Sequence, residues 1–168
     1  MASDSKTWIT LLVVSAGALI VASGHSAQVS LAVTQDQSYR TTVNRAVALL
    51  PRRPQGVLII DVEDAKAEDV DHLRKLQAFT LKGQSVVYLT KHGEALRAAL
   101  TGSRFHEHML ATVIWHEMAH IEGADEHEAR RREEELWTRF MLANAVERVA
   151  ALNYLVMLET RQPIGLVE

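Results

Sequence analysis

The pattern of apolar and polar positions divides the chain into a first part with short strands and a last third that is helical throughout. Between Tyr39 and Leu50 the apolar positions Val43, Ala46, Val47 and Leu50 have helical spacing, and Pro51 and Pro54 stop that helix. Gly56 to Val62 is a short β-branched run that predicts a buried strand. Ala65 to Thr80 predicts a helix, with Val70, Leu73, Leu76, Gln77 and Phe79 near one another and charges elsewhere. Ser85 to Thr90, after Gly83, predicts a second strand, and Gly93 to Leu100 predicts a short helix closed by Gly102. Arg104 to Ile121 reads as one helix, broken by Gly123. Asp125 suits the cap of the next helix, which runs to about Asn144. A last helical stretch reaches Glu159 before Pro163. A few strands followed by a bundle of helices predict an α+β domain: a short mixed or antiparallel sheet, then a helical carboxyl-terminal half.

The amino end is different in kind. Trp8 to Ala22 carries no charge, follows Lys6, and ends in Ser23-Gly24-His25-Ser26-Ala27. About fifteen apolar residues match the h-region of a signal peptide better than a full span of about twenty. The expected division is residues 1–27 as a signal peptide or an amino-terminal membrane anchor, 28–162 as the folded domain and 163–168 as a tail. Both forms place the domain outside the cytoplasm, periplasmic or extracellular, and the anchored form attaches to the membrane through residues 8–22.

Composition narrows the chemistry. With 168 residues, 48% of them hydrophobic and 23% charged, the chain can bury a core as one ordinary domain. A net charge of -3 gives no basic footprint for nucleic acid. The one dense basic run, Arg130-Arg131-Arg132, is followed at once by Glu133-Glu134-Glu135, and on a helix such blocks pair across turns as a solvated face. There is no cysteine, so disulfides, thiolate ligands and cysteine nucleophiles are excluded. Any metal site must use His, Asp or Glu.

One such set is present in His116-Glu117-Met118-Ala119-His120. Imidazoles four residues apart share a helix face and can reach one ion, while Glu117, one step round, can act as a base toward water on that ion. Chance alone would produce the pentapeptide in roughly 3% of chains of this composition, so the surroundings decide. The carrying helix is apolar on nearly every side, through Phe105, Met109, Leu110, Val113, Ile114, Trp115, Met118 and Ile121, and such a helix is buried. Two histidines and a glutamate in a buried helix need partners. The turn at Gly123 brings the first turn of the following helix back beside His120. That helix carries Glu126, Ala129, Glu133, Leu136, Trp137 and Phe140 along one stripe, which turns two carboxylates inward. Glu126, Glu133 and Asp125 are the candidates for a third ligand, and Glu133 would otherwise accept a hydrogen bond from a ligand imidazole.

His116-Glu117-x-x-His120 followed by Glu126-x-x-Ala129 resembles the gluzincin-type zinc peptidases, in which the third ligand is a glutamate on the next helix. The stretch HEMAHIEGADE also overlaps the metzincin pattern through Gly123, with Glu126 where that family has His. Both resemblances cover about residues 104–140 and point to Glu126. They imply a small zincin-like domain that hydrolyses peptide bonds, with zinc on His116, His120 and Glu126, Glu117 as general base, and a peptide or protein as substrate. Tyr88, His127 and Tyr154 are candidate donors to the developing oxyanion, and Ser85 to Thr90 is the candidate strand for an extended substrate. His25, His72, His92, His106 and His108 lack a partner pattern and are expected to be structural or solvated. The alternatives are a non-catalytic zinc site that staples the helices and a membrane-anchored interaction module.

Overall fold

The computed structural model describes residues 19–24, 27–34, 36–61, 75–143 and 146–160. Five strands, β1 (Leu19–Gly24), β2 (Ala27–Val33), β3 (Gly56–Asp61), β4 (Ala78–Thr80) and β5 (Val86–Thr90), form one sheet in the order β1-β2-β3-β5-β4. β3 and β5 run parallel, from Gly56 opposite Val86 to Ile60 opposite Thr90, and the other neighbours are antiparallel. The sheet is therefore mixed and the chain is α+β. The β1–β2 hairpin joins β3 at its end, through the pairs Ala32–Asp61 and Val33–Ile60 and the Thr34 N–H bonded to the Ile59 carbonyl at 2.9 Å. The first three helices pack on the other part, the three strands β3, β5 and β4.

The helices are α1 (Gln37–Ala48), α2 (Glu94–Ala99), α3 (Arg104–Ile121), α4 (Glu126–Leu142) and α5 (Arg148–Thr160). Asp36 caps α1, its carboxylate accepting from Ser38 N at 2.8 Å, and Pro51 follows where the helix has ended. α3 is the central element. It touches α1, α2, β4, β5 and α4, and Leu110, Ala111, Thr112 and Ile114 on it have no exposed surface. One apolar cluster joins Leu110, Ala111 and Ile114 to Val43, Ala46, Ile59, Val87, Leu89 and Leu96. A second holds the carboxyl-terminal helices together around Trp137, Ala151, Tyr154 and Leu158. Trp137 is fully buried, and its indole N–H is satisfied by the carbonyl of Ala151 at 2.9 Å.

The turn between α3 and α4 is tight because one residue adopts a left-handed conformation. Gly123 has φ +88°, its N–H bonds the His120 carbonyl at 2.9 Å, and the Ala124 N–H bonds the Ala119 carbonyl at 3.0 Å. Asp125 then starts α4, accepting from Glu128 N at 2.8 Å.

Three expectations change. Residues 65–74 of the helix expected over Ala65–Thr80 lie outside the described residues, but Ala78–Thr80 is strand β4, not helix. Phe79 pairs with Tyr88 across the ladder and stacks on it, with ring centroids 5.2 Å apart, and this cross-strand contact outweighs the local helical spacing. β5, expected as a strand for substrate, is bonded on both sides and is no edge; among the described residues β4 is the outer strand beside α3. The three arginines do not pair with the glutamates that follow them as a block. Arg130 binds Glu126, Arg131 binds Glu128 and Glu135, and Arg132 binds Glu122 and Glu128, while Glu133 is buried. Residues 8–18 of the apolar amino-terminal run lie outside the described residues, as do His25 and His72, and Leu19 to Ala22 are in β1. No helix among the described residues is long and apolar enough to cross a membrane.

At Gly123 an added Cβ would meet nothing within 4 Å, so Gly123→Ala should destabilise through backbone strain alone, by about 1–2 kcal/mol. Leu110→Ala, which opens a cavity under α3, should cost about 2–5 kcal/mol. Urea denaturation measures both; a neutral Gly123→Ala would contradict the account of the turn.

Candidate metal centre

Two helix turns of α3 and the first turn of α4 bring three donors together. His116 Nε2 and His120 Nε2 are 3.1 Å apart, and Glu126 Oε2 lies 3.6 Å from the first and 3.4 Å from the second. A four-coordinate zinc with bonds of 2.0–2.1 Å separates neighbouring donors by about 3.3–3.4 Å, so these edges match one face of such a tetrahedron. His116, His120 and Glu126 thus form a group that could hold a metal ion, and it is the one such group among the described residues.

The orientation of each donor is fixed from behind. His120 Nδ1 sits 3.0 Å from the Ala124 carbonyl. That oxygen can only accept, so Nδ1 carries the proton and Nε2 is left bare. His116 Nδ1 sits 3.1 Å from Glu133 Oε2, which sets the same tautomer. Glu126 presents Oε2 to the imidazoles because Arg130 Nε, one helical turn on, binds its other oxygen at 2.8 Å. Two nitrogen lone pairs and a carboxylate oxygen converging within 3.6 Å repel one another unless a cation or a proton lies between them. The donor set therefore fits a divalent ion of borderline softness.

The three expected ligand candidates separate cleanly. Glu126 faces the imidazoles. Glu133, 5% exposed, lies behind His116 and bonds its Nδ1. Asp125 is used as the cap of α4. Glu117 is buried next to His116 on α3. Of the candidate oxyanion donors, Tyr88 bonds Gln84 in the β4–β5 connection, Tyr154 bonds Glu133 at 3.2 Å, and His127 is exposed on the first turn of α4. His108 is packed edge-on against Phe140 and bonds the Arg104 carbonyl, and His92 lies 3.6 Å from Asp61; neither joins the centre. Arg130 is the residue the sequence reading missed. Its four-residue spacing from Glu126 was visible, but it was grouped with the solvated arginines beside it.

Burial and charge shift three of these groups. Burial works against a charged His116, yet hydrogen bonds to Glu126 and Glu133 outweigh it and lift the imidazole to about 10. Burial would raise Glu126, but His116 and Arg130 hold its carboxyl down at about 2. Burial pushes Glu117 up to about 7; the His116 charge opposes this, and Glu126 and Glu133 add to it.

No known family model, curated protein or solved structure matches this chain.

Two outcomes are expected. Glu126→Ala should weaken metal binding by several orders of magnitude, whereas Asp125→Ala should cost about 1 kcal/mol of stability by removing a cap and leave metal affinity nearly unchanged; the reverse ranking in a chelator-competition titration would transfer the ligand role to Asp125. The second concerns protons. The folded value of His116 lies above its ordinary 6.5, so the charged form stabilises the metal-free fold fully below about 6.5, and that contribution fades as pH rises through about 10. A cation has to displace this proton and favours ionised Glu117, whose carboxyl lies at about 7 in the metal-free fold, so calorimetric zinc titration at pH 7 in buffers of different ionisation heat should show between one and two protons released, with affinity rising as pH rises. Release of no proton would contradict the arrangement around His116.

Proposed function

We propose that this chain is a zinc-dependent metallopeptidase with a small zincin-like domain. The observation that carries the reading is the convergence of His116, His120 and Glu126 on one point, with the buried carboxyl of Glu117 next to the first of them. The donors are two imidazoles and one carboxylate, so a tetrahedral ion keeps one position for water or substrate. A structural zinc site would instead close with a fourth protein ligand, usually including Cys, which the chain lacks.

A zinc ion held by these residues supplies a Lewis acid that acidifies water and polarises a peptide carbonyl. The chain's own groups do the rest. Glu117 accepts a proton as water adds to the carbonyl carbon, and delivers it to the amine as the C–N bond breaks, so the net reaction consumes one water. Glu133 and the Ala124 carbonyl hold the two imidazoles in the Nδ1–H form, and Arg130 holds Glu126. Tyr88 and Tyr154 are bonded elsewhere and are not offered as oxyanion donors; His127, exposed beside Glu126, is the candidate that remains. β4, the outer strand against α3, replaces β5 as the strand along which an extended peptide would lie.

Glu117→Gln keeps the shape of the site and removes the base. It should retain zinc and lose hydrolysis of a casein or quenched-peptide substrate by about two to four orders of magnitude. A zinc-loaded Glu117→Gln with wild-type activity would remove Glu117 from the reaction, and wild-type protein that binds zinc yet cleaves nothing would favour the non-catalytic site.

A further inference from the structure

On the reading that His116 binds zinc, we infer that Tyr154, from the last helix, is a positioning residue of the metal centre. Its hydroxyl lies 3.2 Å from Glu133 Oε1, and the other oxygen of the same carboxylate lies 3.1 Å from His116 Nδ1. The path from α5 to the ligand thus consists of one phenol, one carboxylate and one imidazole.

Counting protons fixes its direction. The Thr112 hydroxyl donates to the Met109 carbonyl at 2.9 Å and lies 3.4 Å from the Tyr154 oxygen. Tyr154 has one proton, and Thr112 and Glu133 are both placed to accept it. A carboxylate is the stronger acceptor and the closer of the two, so the proton goes to Glu133. Glu133 then accepts two hydrogen bonds, one on each oxygen, and its carboxylate plane is fixed. That plane sets the angle at which His116 presents Nε2 to the ion.

Burial makes this arrangement matter. Tyr154 is 4% exposed, Glu133 5% and Thr112 0%, so water cannot replace a lost partner easily. The phenol is itself held by Trp137, whose ring centroid is 4.4 Å away, and Trp137 bonds the backbone of α5. The placement of the Tyr154 hydroxyl, and not the packing of the carboxyl-terminal helix at large, is thereby transmitted to the orientation of His116.

The test compares zinc affinity, by competition with a chelator, and the visible spectrum of the cobalt-substituted protein. Tyr154→Phe keeps the ring and its packing on Trp137, and should weaken zinc binding roughly tenfold, within the range for loss of an outer partner of a ligand, and alter the cobalt bands. Leu158→Ala, a buried change on the same helix that touches no polar group of the centre, should lower the melting temperature and leave the affinity of the folded protein within about twofold. A second measurement needs no variant. The chain contains three tyrosines, and in fully 3-fluorotyrosine-labelled protein one of the three 19F resonances should shift on adding zinc. Wild-type affinity and spectrum for Tyr154→Phe, a loss for Leu158→Ala equal to that for Tyr154→Phe, or no 19F shift would each overturn the role of Tyr154 while leaving the zinc site standing. Wild-type protein that binds no zinc would overturn the zinc reading, and this inference with it.

Discussion

The centre depends on two imidazole nitrogens held 3.1 Å apart, with a carboxylate oxygen within 3.6 Å of both. Each His is committed on its far side to an acceptor, the Ala124 carbonyl or Glu133, so neither ring can flip to relieve the encounter without giving up a hydrogen bond. A buried polar group that loses its partner costs about 1–3 kcal/mol. Holding the lone pairs face to face thus requires rigid supports, and most of the helical half supplies them. α3 is locked by apolar contacts on several sides, the Gly123 turn carries both the ligand buttress and the cap of α4, and α4 returns Glu126 and Glu133 to the same face of α3.

The sheet takes a different part. Its parallel β3–β5 pair and β4 form the floor on which α1, α2 and α3 rest, and Val87 and Leu89 of β5 enter the same apolar cluster as Leu110 and Ile114 of α3. Among the described residues, none of the three candidate donors lies on a strand. The floor fixes the roll of α3 about its own axis, and that roll decides whether His116 and His120 face α4 or a neighbour that could not complete the set.

Much of this was legible from local pattern, and the reasons are physical. α3 has the bounds its apolar run implies, Arg104 to Ile121, because the flanking Ser103 and Gly123 are residues that end helices. Ala129, Glu133, Leu136 and Trp137 are buried as their stripe on α4 requires. Spacing alone leaves Glu126, Glu133 and Asp125 open, and only the family resemblance points to Glu126, the one the structure groups with the two histidines. All three lie within one turn or two of the same helix start, and only the position of α4 against α3 assigns one to the ion site, one to the back of His116 and one to the cap. β4 was missed because three residues are too few to show a period of two, and Phe79 becomes strand through Tyr88, nine residues on. Tyr154 lies 21 residues from Glu133; its place depends on how α5 folds back over Trp137, which no local spacing encodes.

Charge balance links the buried groups to the kind of ion they suit. Glu117, Glu126 and Glu133 gather around His116, and Arg130 is the guanidinium bound to Glu126. With the carboxylates ionised and the imidazoles neutral, three negative charges face one positive charge, leaving two uncompensated in a region where Glu117 and Glu133 are nearly shut off from water. Protonation meets part of that deficit: His116 becomes an imidazolium and Glu117 is pushed toward its neutral form. A divalent cation meets all of it, displacing the proton on His116 and allowing Glu117 to ionise. A cation at this point would therefore favour ionised Glu117, so metal binding and the charge of the residue proposed as the base answer one electrostatic requirement.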